Sequence, residues 1–364
     1  MTRRFLLAAC AFLAAGAVFA QQNAQVTSPE ILPGGDVIFR IYAPEAQSVR
    51  LNCQLAPEFE MTRGQDGVWT ATLHPDIADI YQYVYVVDGV TISDPANVSL
   101  LPNERIKASL VEMRNDEMLY TVRDIPHGQV RYCTYYSTVM EEWRTLVVYV
   151  PAEYETRRHK KYPVFYMIHG ATDTEETFYK GGRINFIADN LIQDGKAVPM
   201  IIVLPYGNVG VSNPDRTRSE MQQKFVRELT ECIMPYVEKH FRTINDRRHR
   251  AIAGFSRGGM QALYAGFSRS DLFSHVCAYA SSLTPELLER DFGPGISDAA
   301  AFNAAYDLLW MGIGSADGGY QRMLDMEKYF DAKGIRYESF HTDGGHNMVN
   351  GRKFMGITIA KFFR

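Results

Sequence analysis

Hydrophobic and polar positions follow two different patterns along this chain. Between about residue 26 and residue 113, apolar and polar residues alternate, most clearly over residues 48–55 and 67–73. A period of two predicts strands with one buried face. The strands are short, and the pair Asp88-Gly89 is a hairpin signal before a further strand at residues 90–92. This part of the chain is therefore predicted to form a small all-β, immunoglobulin-like sandwich.

The pattern changes from Arg131 onward. Two strands of antiparallel character, at residues 132–137 and 145–150, lead into continuous apolar runs that alternate with amphipathic helical stretches, the longest at residues 219–241. The apolar runs are residues 164–168, 200–204, 251–253, 275–279 and 308–313. Unbroken apolar strands between helices indicate a mostly parallel sheet with helices on both faces, an α/β class of fold. A polar segment at residues 115–127 separates the two patterns.

The first residues have the pattern of a targeting segment. Arg3 and Arg4 precede an almost unbroken apolar run at residues 5–19, and Val18-Phe19-Ala20 is typical of a signal-peptidase site. A lipidation box ending at Cys10 is an alternative, although it would leave an apolar region of only residues 5–9. We therefore predict a signal peptide at residues 1–20, a sandwich at 21–118 and a second domain at 119–364, in a secreted or periplasmic protein.

Composition and charge exclude several classes of protein. The 364 residues are 46% hydrophobic and 22% charged with a formal net charge of −4, which is ordinary for a globular protein. The near-neutral balance argues against a nucleic-acid partner, and no apolar run after the signal segment is long enough to span a bilayer. The pattern leaves the oligomeric state open.

The cysteines do not have the spacing of a zinc site, because none forms a C-x-x-C pair. Cys53 and Cys232 lie at apolar positions of a predicted strand and helix, which favours buried thiols over disulfides. The sequence leaves the state of Cys133 and Cys277 open.

A candidate nucleophile lies in the motif Gly254-Phe255-Ser256-Arg257-Gly258. A short apolar run precedes this motif and a helix-forming run follows it, at residues 260–265. In a nucleophile elbow, the serine lies on a tight strand-to-helix turn, and the glycines remove side chains that would clash there. The motif and its setting together predict that Ser256 is a catalytic nucleophile.

A serine needs a base, and the base needs an acid that orients it. In elbow-type hydrolases the chain order is serine, acid, histidine. Of the three histidines after Ser256, His275 begins an apolar strand and His341 ends another, whereas His346 lies in a loop after two glycines. We predict His346 as the base. Asp317, in the loop after the strand at residues 308–313, is the predicted acid, with the N-cap of the next helix as its alternative role.

The tetrahedral intermediate needs two backbone N–H donors. The residue after the serine, Arg257, supplies one in such enzymes, and the loop after the third strand supplies the other. That loop corresponds here to residues 168–172, where Ala171 is the first choice and Thr172 the next.

Taken together, several motifs resemble carbohydrate esterase family 1, which holds feruloyl and acetylxylan esterases and the related enterochelin-type esterases. These motifs are His169-Gly170, residues 246–259, residues 314–317 and Asp343-Gly344-Gly345-His346. The N-terminal segments 39–44, 87–89 and 94–97 are similar to early-set domains related to family-48 carbohydrate-binding modules. The resemblance implies an α/β-hydrolase fold and no cofactor, and the cysteine spacing predicts no metal. The resemblance also implies that Ser256, Asp317 and His346 act as nucleophile, acid and base.

The chain departs from this family at three places. Ala171-Thr172-Asp173 stands where many members have glycines, residues 347–350 lack the tryptophan common after the histidine, and Arg257 replaces a frequent methionine. The Arg257 side chain is expected either to contact a carboxylate or a polar substituent, or to form a salt bridge on the elbow helix. These differences leave the acyl group open.

We therefore predict a secreted serine esterase that removes acyl groups, feruloyl or acetyl, from plant cell-wall polysaccharide such as xylan. The alternatives are a siderophore-ester hydrolase and a glycan-binding protein that has lost activity. Candidate walls of the acyl pocket are Phe178, Tyr179, Asn185, Tyr206 and Asn208, although Phe178 and Tyr179 are equally suited to packing within a loop.

The sandwich either binds glycan or supports the second domain. Trp69, Tyr81, Tyr83 and Tyr85 are aromatic side chains that stack well on sugars. The three tyrosines share one face of a strand, so core packing is the simpler explanation for them.

Overall fold

The computed structural model describes residues 26–113, 115–210 and 218–364. The predicted signal peptide, residues 1–20, lies outside this part of the chain. Ten short strands come first: β1 (Glu30–Ile31), β2 (Val37–Tyr42), β3 (Val49–Cys53), β4 (Ala56–Glu60), β5 (Thr62–Arg63), β6 (Val68–Leu73), β7 (Ile80–Val87), β8 (Val90–Ile92), β9 (Leu100–Leu101) and β10 (Ala108–Glu112).

These strands form the predicted sandwich. One sheet has the order β1-β2-β6-β5 and the other β4-β3-β7-β10-β9, with β8 paired to β7. Alternate side chains of β2 and β3, such as Phe39 and Leu51, meet in one hydrophobic core between the sheets. Asp88 (φ 47°) and Gly89 (φ 85°) both have left-handed backbone angles, as a two-residue hairpin between β7 and β8 requires.

The sandwich aromatics face inward. Tyr81, Tyr83, Tyr85 and Trp69 are all buried in its core. The hydroxyls of Tyr83 and Tyr85 donate to the buried carboxylate of Asp94, at 2.7 and 3.2 Å. Because a sugar ring stacks only on an exposed aromatic face, these four side chains support the sandwich core and do not form a glycan platform.

The second part of the chain holds eight further strands: β11 (Gln129–Ser137), β12 (Glu142–Val150), β13 (Val164–Ile168), β14 (Ile201–Pro205), β15 (Arg250–Phe255), β16 (His275–Tyr279), β17 (Leu308–Gly314) and β18 (Glu338–Thr342). They form one sheet in the order β11-β12-β14-β13-β15-β16-β17-β18. The pairs β11–β12 and β12–β14 are antiparallel, and the pairs from β14 to β18 are parallel. The predicted α/β-hydrolase fold is confirmed.

Helices cover both faces of this sheet. They are α1 (Thr177–Lys180), α2 (Ile184–Gln193), α3 (Arg218–Arg227), α4 (Met234–His240), α5 (Arg257–Ser268), α6 (Pro285–Ile296), α7 (Ala299–Ala305), α8 (Tyr320–Lys333) and α9 (Met348–Ile359). Alternate strand residues enter separate cores: Ile252 packs with α3 to α8, and Ala251 and Ala253 pack with α2 and α9. This two-sided burial explains why the strands are apolar without alternation.

The helix predicted at residues 219–241 has an irregular centre. A π-helical segment, Glu228–Ile233, joins α3 to α4. Pro235, in the first turn of α4, has no backbone N–H to donate to the preceding turn. The wider hydrogen-bond pattern directly before it accommodates this break.

The segment predicted to separate the domains lies between the end of β10 and the start of β11. The exact boundary at residues 118 and 119 stays a prediction. Cys53 and Cys232 are free and buried, as predicted, and Cys133 and Cys277 are also free thiols. Among the helices described, none is long and apolar enough to cross a membrane.

Candidate active site

Ser256 lies in a strained turn between β15 and α5. Its backbone angles are φ 57° and ψ −119°, a region that residues other than glycine rarely adopt. The Ser256 N–H donates to the carbonyl of Tyr279 at 2.8 Å, and the Met260 N–H donates to the Ser256 carbonyl at 3.2 Å. The turn is therefore held from both sides, at the C-terminal edge of the parallel strands.

Two glycines allow this turn to form. A Cβ atom on Gly254 would lie 2.1 Å from the carbonyl oxygen of Gly258. A Cβ atom on Gly258 would lie 2.3 Å from the carbonyl oxygen of Ile168, the last residue of β13. Only glycine permits this close approach of α5 to β13 and β15.

His346 and Asp317 form a hydrogen-bonded pair. The His346 Nδ1 atom lies 2.6 Å from Oδ2 of Asp317, whose other oxygen accepts the N–H of Gly319 at 2.8 Å. The Asp317 side chain is 4% exposed and the His346 side chain 43%. A histidine that donates its Nδ1–H to a carboxylate has its Nε2 lone pair free to accept a proton.

The loops that carry this pair contact each other. The Ala316 N–H donates to the carbonyl of Gly344 at 3.0 Å, and Asn350 donates its side-chain amide to the carbonyl of Gly345 at 3.1 Å. The N-cap of α8 is Gly319, so Asp317 is not the cap of that helix.

The histidine packs on the residue that precedes the strained serine. The imidazole of His346 packs on the ring of Phe255, the residue before Ser256, with a centroid distance of 4.8 Å. The structure therefore brings the three residues predicted as nucleophile, acid and base to one edge of the sheet.

The other two histidines after Ser256 lie elsewhere. His275 is buried next to Ser274 and accepts the N–H of Phe363, and burial lowers the pKa of His275 to about 4. His341 contacts Glu327 at 2.8 Å on the outer strand β18. Neither is part of the predicted constellation.

The loop after β13 is held by a buried histidine. His169 donates its Nδ1–H to the carbonyl of Gly170 at 2.8 Å, while its Nε2 accepts the N–H of Gly207 at 2.8 Å. Burial lowers the pKa of His169 to about 3, so the ring is neutral at physiological pH. The side chain of Arg257 also donates to the Gly170 carbonyl, at 3.3 Å. We call residues 169–173 the oxyanion loop.

Tyr206 and Asn208 lie next to this loop. The ring of Tyr206 stacks on His169 with a centroid distance of 5.6 Å, and Asn208 donates to the Tyr206 hydroxyl at 3.4 Å. Arg144 donates to the main-chain carbonyls of both residues, at 2.7 and 2.5 Å. These contacts fix the segment after β14 at the same edge as the serine.

The other three residues predicted to line the acyl pocket lie in different surroundings. Phe178 is 1% exposed and lies in the hydrophobic core, so its prediction as a pocket wall is wrong and the packing alternative holds. Asn185 is also buried, in the first turn of α2. Tyr179 is partly buried and contacts the ring of Tyr132.

Sequence analysis missed two residues of the sandwich that contact the oxyanion loop. Asn103 and Glu104 follow β9 and hydrogen-bond to Thr172 and Asp173, about 70 residues away along the chain. A short polar segment of this kind carries no motif, so nothing in its composition identifies the contact. Within the described ranges, no group of three or more His, Cys, Asp or Glu residues is arranged to hold a metal ion.

Comparison with known families gives two matches. A family model described as putative esterase matches residues 137–348, and one described as carbohydrate-binding module 48 (isoamylase N-terminal domain) matches residues 24–103. Among curated proteins, the chain is 29% identical over 254 residues to an endo-1,4-beta-xylanase/feruloyl esterase of Xylanibacter ruminicola, a match covering 68% of this chain and 35% of that protein. It is 30% identical over 132 residues to endo-1,4-beta-xylanase Y of Acetivibrio thermocellus, covering 33% of this chain and 11% of that protein. The chain thus spans about a third or less of these relatives.

Solved structures of two kinds are similar. A CE1 ferulic acid esterase from Anaeromyces mucronatus, in complex with ferulic acid, has a TM-score of 0.59 and 26% identity, covering 69% of this chain and 96% of that chain. An enterobactin esterase from Shigella flexneri has a TM-score of 0.64 and 15% identity, covering 90% of this chain and 93% of that chain. At that identity, the second similarity concerns the fold alone.

Proposed function

This chain belongs to the esterase family, and from that premise we propose that it is a secreted serine hydrolase that removes feruloyl groups from xylan. The hydrogen bond of 2.6 Å between His346 and Asp317, beside the strained Ser256, is the observation that supports this proposal most. These three side-chain types, in this order along the chain, are those of elbow-type hydrolases.

In the proposed mechanism, Ser256 Oγ attacks the ester carbonyl while His346 Nε2 takes the hydroxyl proton. Asp317 stabilises the imidazolium that forms. The negative charge on the carbonyl oxygen is then stabilised by the backbone N–H groups of Arg257 and Ala171. Arg257 is the first residue of α5, so its N–H has no acceptor within the helix.

The tetrahedral intermediate collapses by breaking the bond to the sugar oxygen. His346 gives its proton to that oxygen, which leaves as the sugar hydroxyl, and the acyl group remains on Ser256. Water then attacks the acyl-enzyme with His346 as base, and the carboxylic acid leaves with Oγ protonated again.

The relatives support a feruloyl substrate. One is named as a xylanase and feruloyl esterase, and a ferulic acid esterase has a similar structure at 26% identity. Tyr206, beside the oxyanion loop, is an aromatic side chain at the proposed acyl site. An acetyl group on the same polysaccharide is the second candidate. The signal-peptide pattern at residues 1–20 supports secretion to the outside of the cell, where such polymers are found.

The test is hydrolysis of methyl ferulate, 4-nitrophenyl acetate and acetylated xylan by the wild type and by Ser256→Ala. We expect methyl ferulate turnover, reduced by Ser256→Ala by a factor of about 10⁴ or more. Ser315→Ala is the matched control, because Ser315 is exposed in the loop of Asp317. Turnover of acetyl substrates alone would replace feruloyl by acetyl, and full activity of Ser256→Ala would refute the proposed nucleophile.

A further inference from the structure

The residues after β9 leave the sandwich and contact the oxyanion loop of the other domain. Asn103 pairs with Asp173 in an isolated antiparallel bridge. The Glu104 N–H donates to the carbonyl of Thr172 at 2.7 Å. The side-chain amide of Asn103 donates to Oγ1 of Thr172 at 3.2 Å and to Oδ1 of Asp173 at 3.4 Å. Two sandwich residues therefore contact the two loop residues that follow Ala171.

The oxyanion loop needs external support at this position. Thr172 has φ 62°, a left-handed backbone angle that a β-branched residue adopts only when its surroundings enforce it. The carbonyl and the hydroxyl of this threonine are both bonded to the sandwich segment. The Asn103 side chain is itself fixed, because its oxygen accepts the N–H of Arg105 at 3.0 Å.

The same segment holds the other side of the loop. The Tyr206 hydroxyl donates to the carboxylate of Glu104. Tyr206 stacks on His169, which in turn bonds to the carbonyl of Gly170. The contacts therefore form a closed ring, from Glu104 through Tyr206, His169 and the loop back to the sandwich.

We infer that Asn103 and Glu104 are positioning residues of the esterase: they hold the backbone of the oxyanion loop where Ala171 donates to the oxyanion. This inference rests on the proposed function. Stabilisation of an oxyanion depends on donors that are in place before the reaction. Loss of a whole donor costs a factor of about 10²–10³ in kcat, and loss of its support costs part of that.

The experiment compares kcat and KM of Asn103→Ala and Asn103→Asp with the wild type, on methyl ferulate and on 4-nitrophenyl acetate. Asn103→Asp keeps the shape and the acceptor for Arg105 but replaces the amide donor to Thr172 and Asp173 by a carboxylate. We expect kcat to fall about 10- to 100-fold in both variants. KM should change less than about threefold, because the oxyanion forms only in the transition state. The fall in kcat should be similar on both substrates, since the oxyanion of each is stabilised by the same two donors.

Glu112→Gln is the matched control. Glu112 is also in the sandwich and contacts Arg183 of the other domain, but not the oxyanion loop. Its kcat should equal that of the wild type. Thermal unfolding of each variant measures the folded fraction at the assay temperature.

Wild-type kcat in both Asn103 variants overturns the inference, as does a rise in KM alone. An equal loss in Glu112→Gln, or a loss explained by unfolded protein, overturns it as well. Ser256→Ala is assayed alongside: if that variant retains activity, the proposed function fails. If Ser256→Ala is inactive while the Asn103 variants keep full kcat, only the positioning role fails.

Discussion

At the scale of single residues, the proposed active site depends on backbone conformations that few side chains tolerate. Ser256 has a positive φ, and a Cβ atom on Gly254 or Gly258 would lie only 2.1 or 2.3 Å from a carbonyl oxygen. Such strain persists only where the surrounding structure enforces it. The serine turn, β13 and the oxyanion loop therefore form one rigid unit.

Gly258→Ala tests this rigidity. The new methyl group would contact the carbonyls of Ile168 and His169, at 2.3 and 2.5 Å, and would push β13 and the oxyanion loop away from the serine. We expect a loss of about 100-fold or more in kcat. Gly295→Ala is the control, because a Cβ atom there meets nothing within 4 Å and alanine favours its helix. Steady-state kinetics of both variants measure this loss. A wild-type kcat in Gly258→Ala would contradict the rigidity of the serine turn.

His275 provides a prediction on pH. Burial lowers its pKa in the folded chain to about 4, whereas 6.5 is its ordinary value. As the pH falls, His275 therefore takes up a proton in the unfolded chain before it does so in the folded chain. The stability that neutral His275 provides is complete above pH 6.5 and is lost as the pH falls through 4.

The corresponding variant is His275→Gln, which keeps an acceptor for Phe363. From this group alone, the free energy of unfolding should fall by about 1.4 kcal/mol per pH unit in that window, and the variant should lack this slope. Urea unfolding at several pH values measures it. Equal slopes in wild type and His275→Gln would disprove the assignment.

At this scale, the sequence predicts the position of site residues that belong to motifs. Ser256, Asp317 and His346 lie where the motif order places them, since an elbow and two loop residues are local features. Phe178 shows the limit: a loop aromatic can face a pocket or the core, and only tertiary packing decides. Asn103 and Glu104 are not predictable, because their partners are distant in the chain.

At the scale of secondary-structure elements, the π-helical segment carries a buried acid. Glu228 is fully buried and accepts hydrogen bonds from Tyr135, at 2.6 Å, and from Ser137 of β11. Its carboxylate also lies 3.5 Å from Nε of buried Arg144. Arg144 supports the main chain of Tyr206 and Asn208. The π segment is therefore connected to the proposed acyl site through one arginine.

Glu228→Gln is expected to reduce both stability and activity. The variant removes the charge beside Arg144, which keeps its pair with Glu142 at 2.8 Å, and it turns one acceptor of Tyr135 or Ser137 into a donor. We expect this to cost about 1–3 kcal/mol. The segment after β14 should also lose order, with a lower kcat. Glu231→Gln is the control in the same π segment, because its pair with Arg227 is exposed to solvent and such pairs contribute little to stability. Chemical denaturation measures the free energy of unfolding, and steady-state kinetics measure kcat. Equal values for Glu228→Gln and Glu231→Gln would contradict the connection between the π segment and the proposed acyl site.

The elements themselves follow from the hydrophobic pattern. Period two gives the sandwich strands, and unbroken apolar runs give the strands buried on both faces. The π segment is invisible to such patterns, because Phe225, Leu229 and Ile233 follow one another at intervals of four residues and are buried in one core, as in a regular helix. A hydrophobic pattern indicates which side chains are buried. It does not indicate which N–H group donates to each backbone carbonyl.

At the scale of the whole molecule, the sandwich and the hydrolase share a buried ion pair. Arg352 of α9 donates to Asp79 at 2.6 Å and to the carbonyl of Gly181 at 2.7 Å. Asp79 also accepts from the hydroxyl of Tyr120 at 2.5 Å. Both charges are buried, so each depends on the other for a partner.

Asp79→Asn should therefore destabilise both domains together. We expect a loss of about 3–5 kcal/mol in the free energy of unfolding, from an unpaired buried guanidinium. Calorimetry of the wild type should show one transition, shifted to lower temperature in the variant. Asp36→Asn, at an exposed carboxylate of the sandwich, should leave the transition in place. Two separate transitions in the wild type would argue that the domains unfold independently.

The contact of Asn103 and Glu104 with the oxyanion loop also bears on how such chains recombine. Residues 103 and 104 lie in the sandwich part of the chain, whereas their hydrogen bonds reach the oxyanion loop of the other domain. A fusion that places a different module before residue 119 would keep the proposed nucleophile, acid and base, yet would lack the contacts of Asn103 and Glu104 with Thr172 and Asp173. On the inferred positioning role, a module exchange that preserves the rate must therefore carry this dipeptide along.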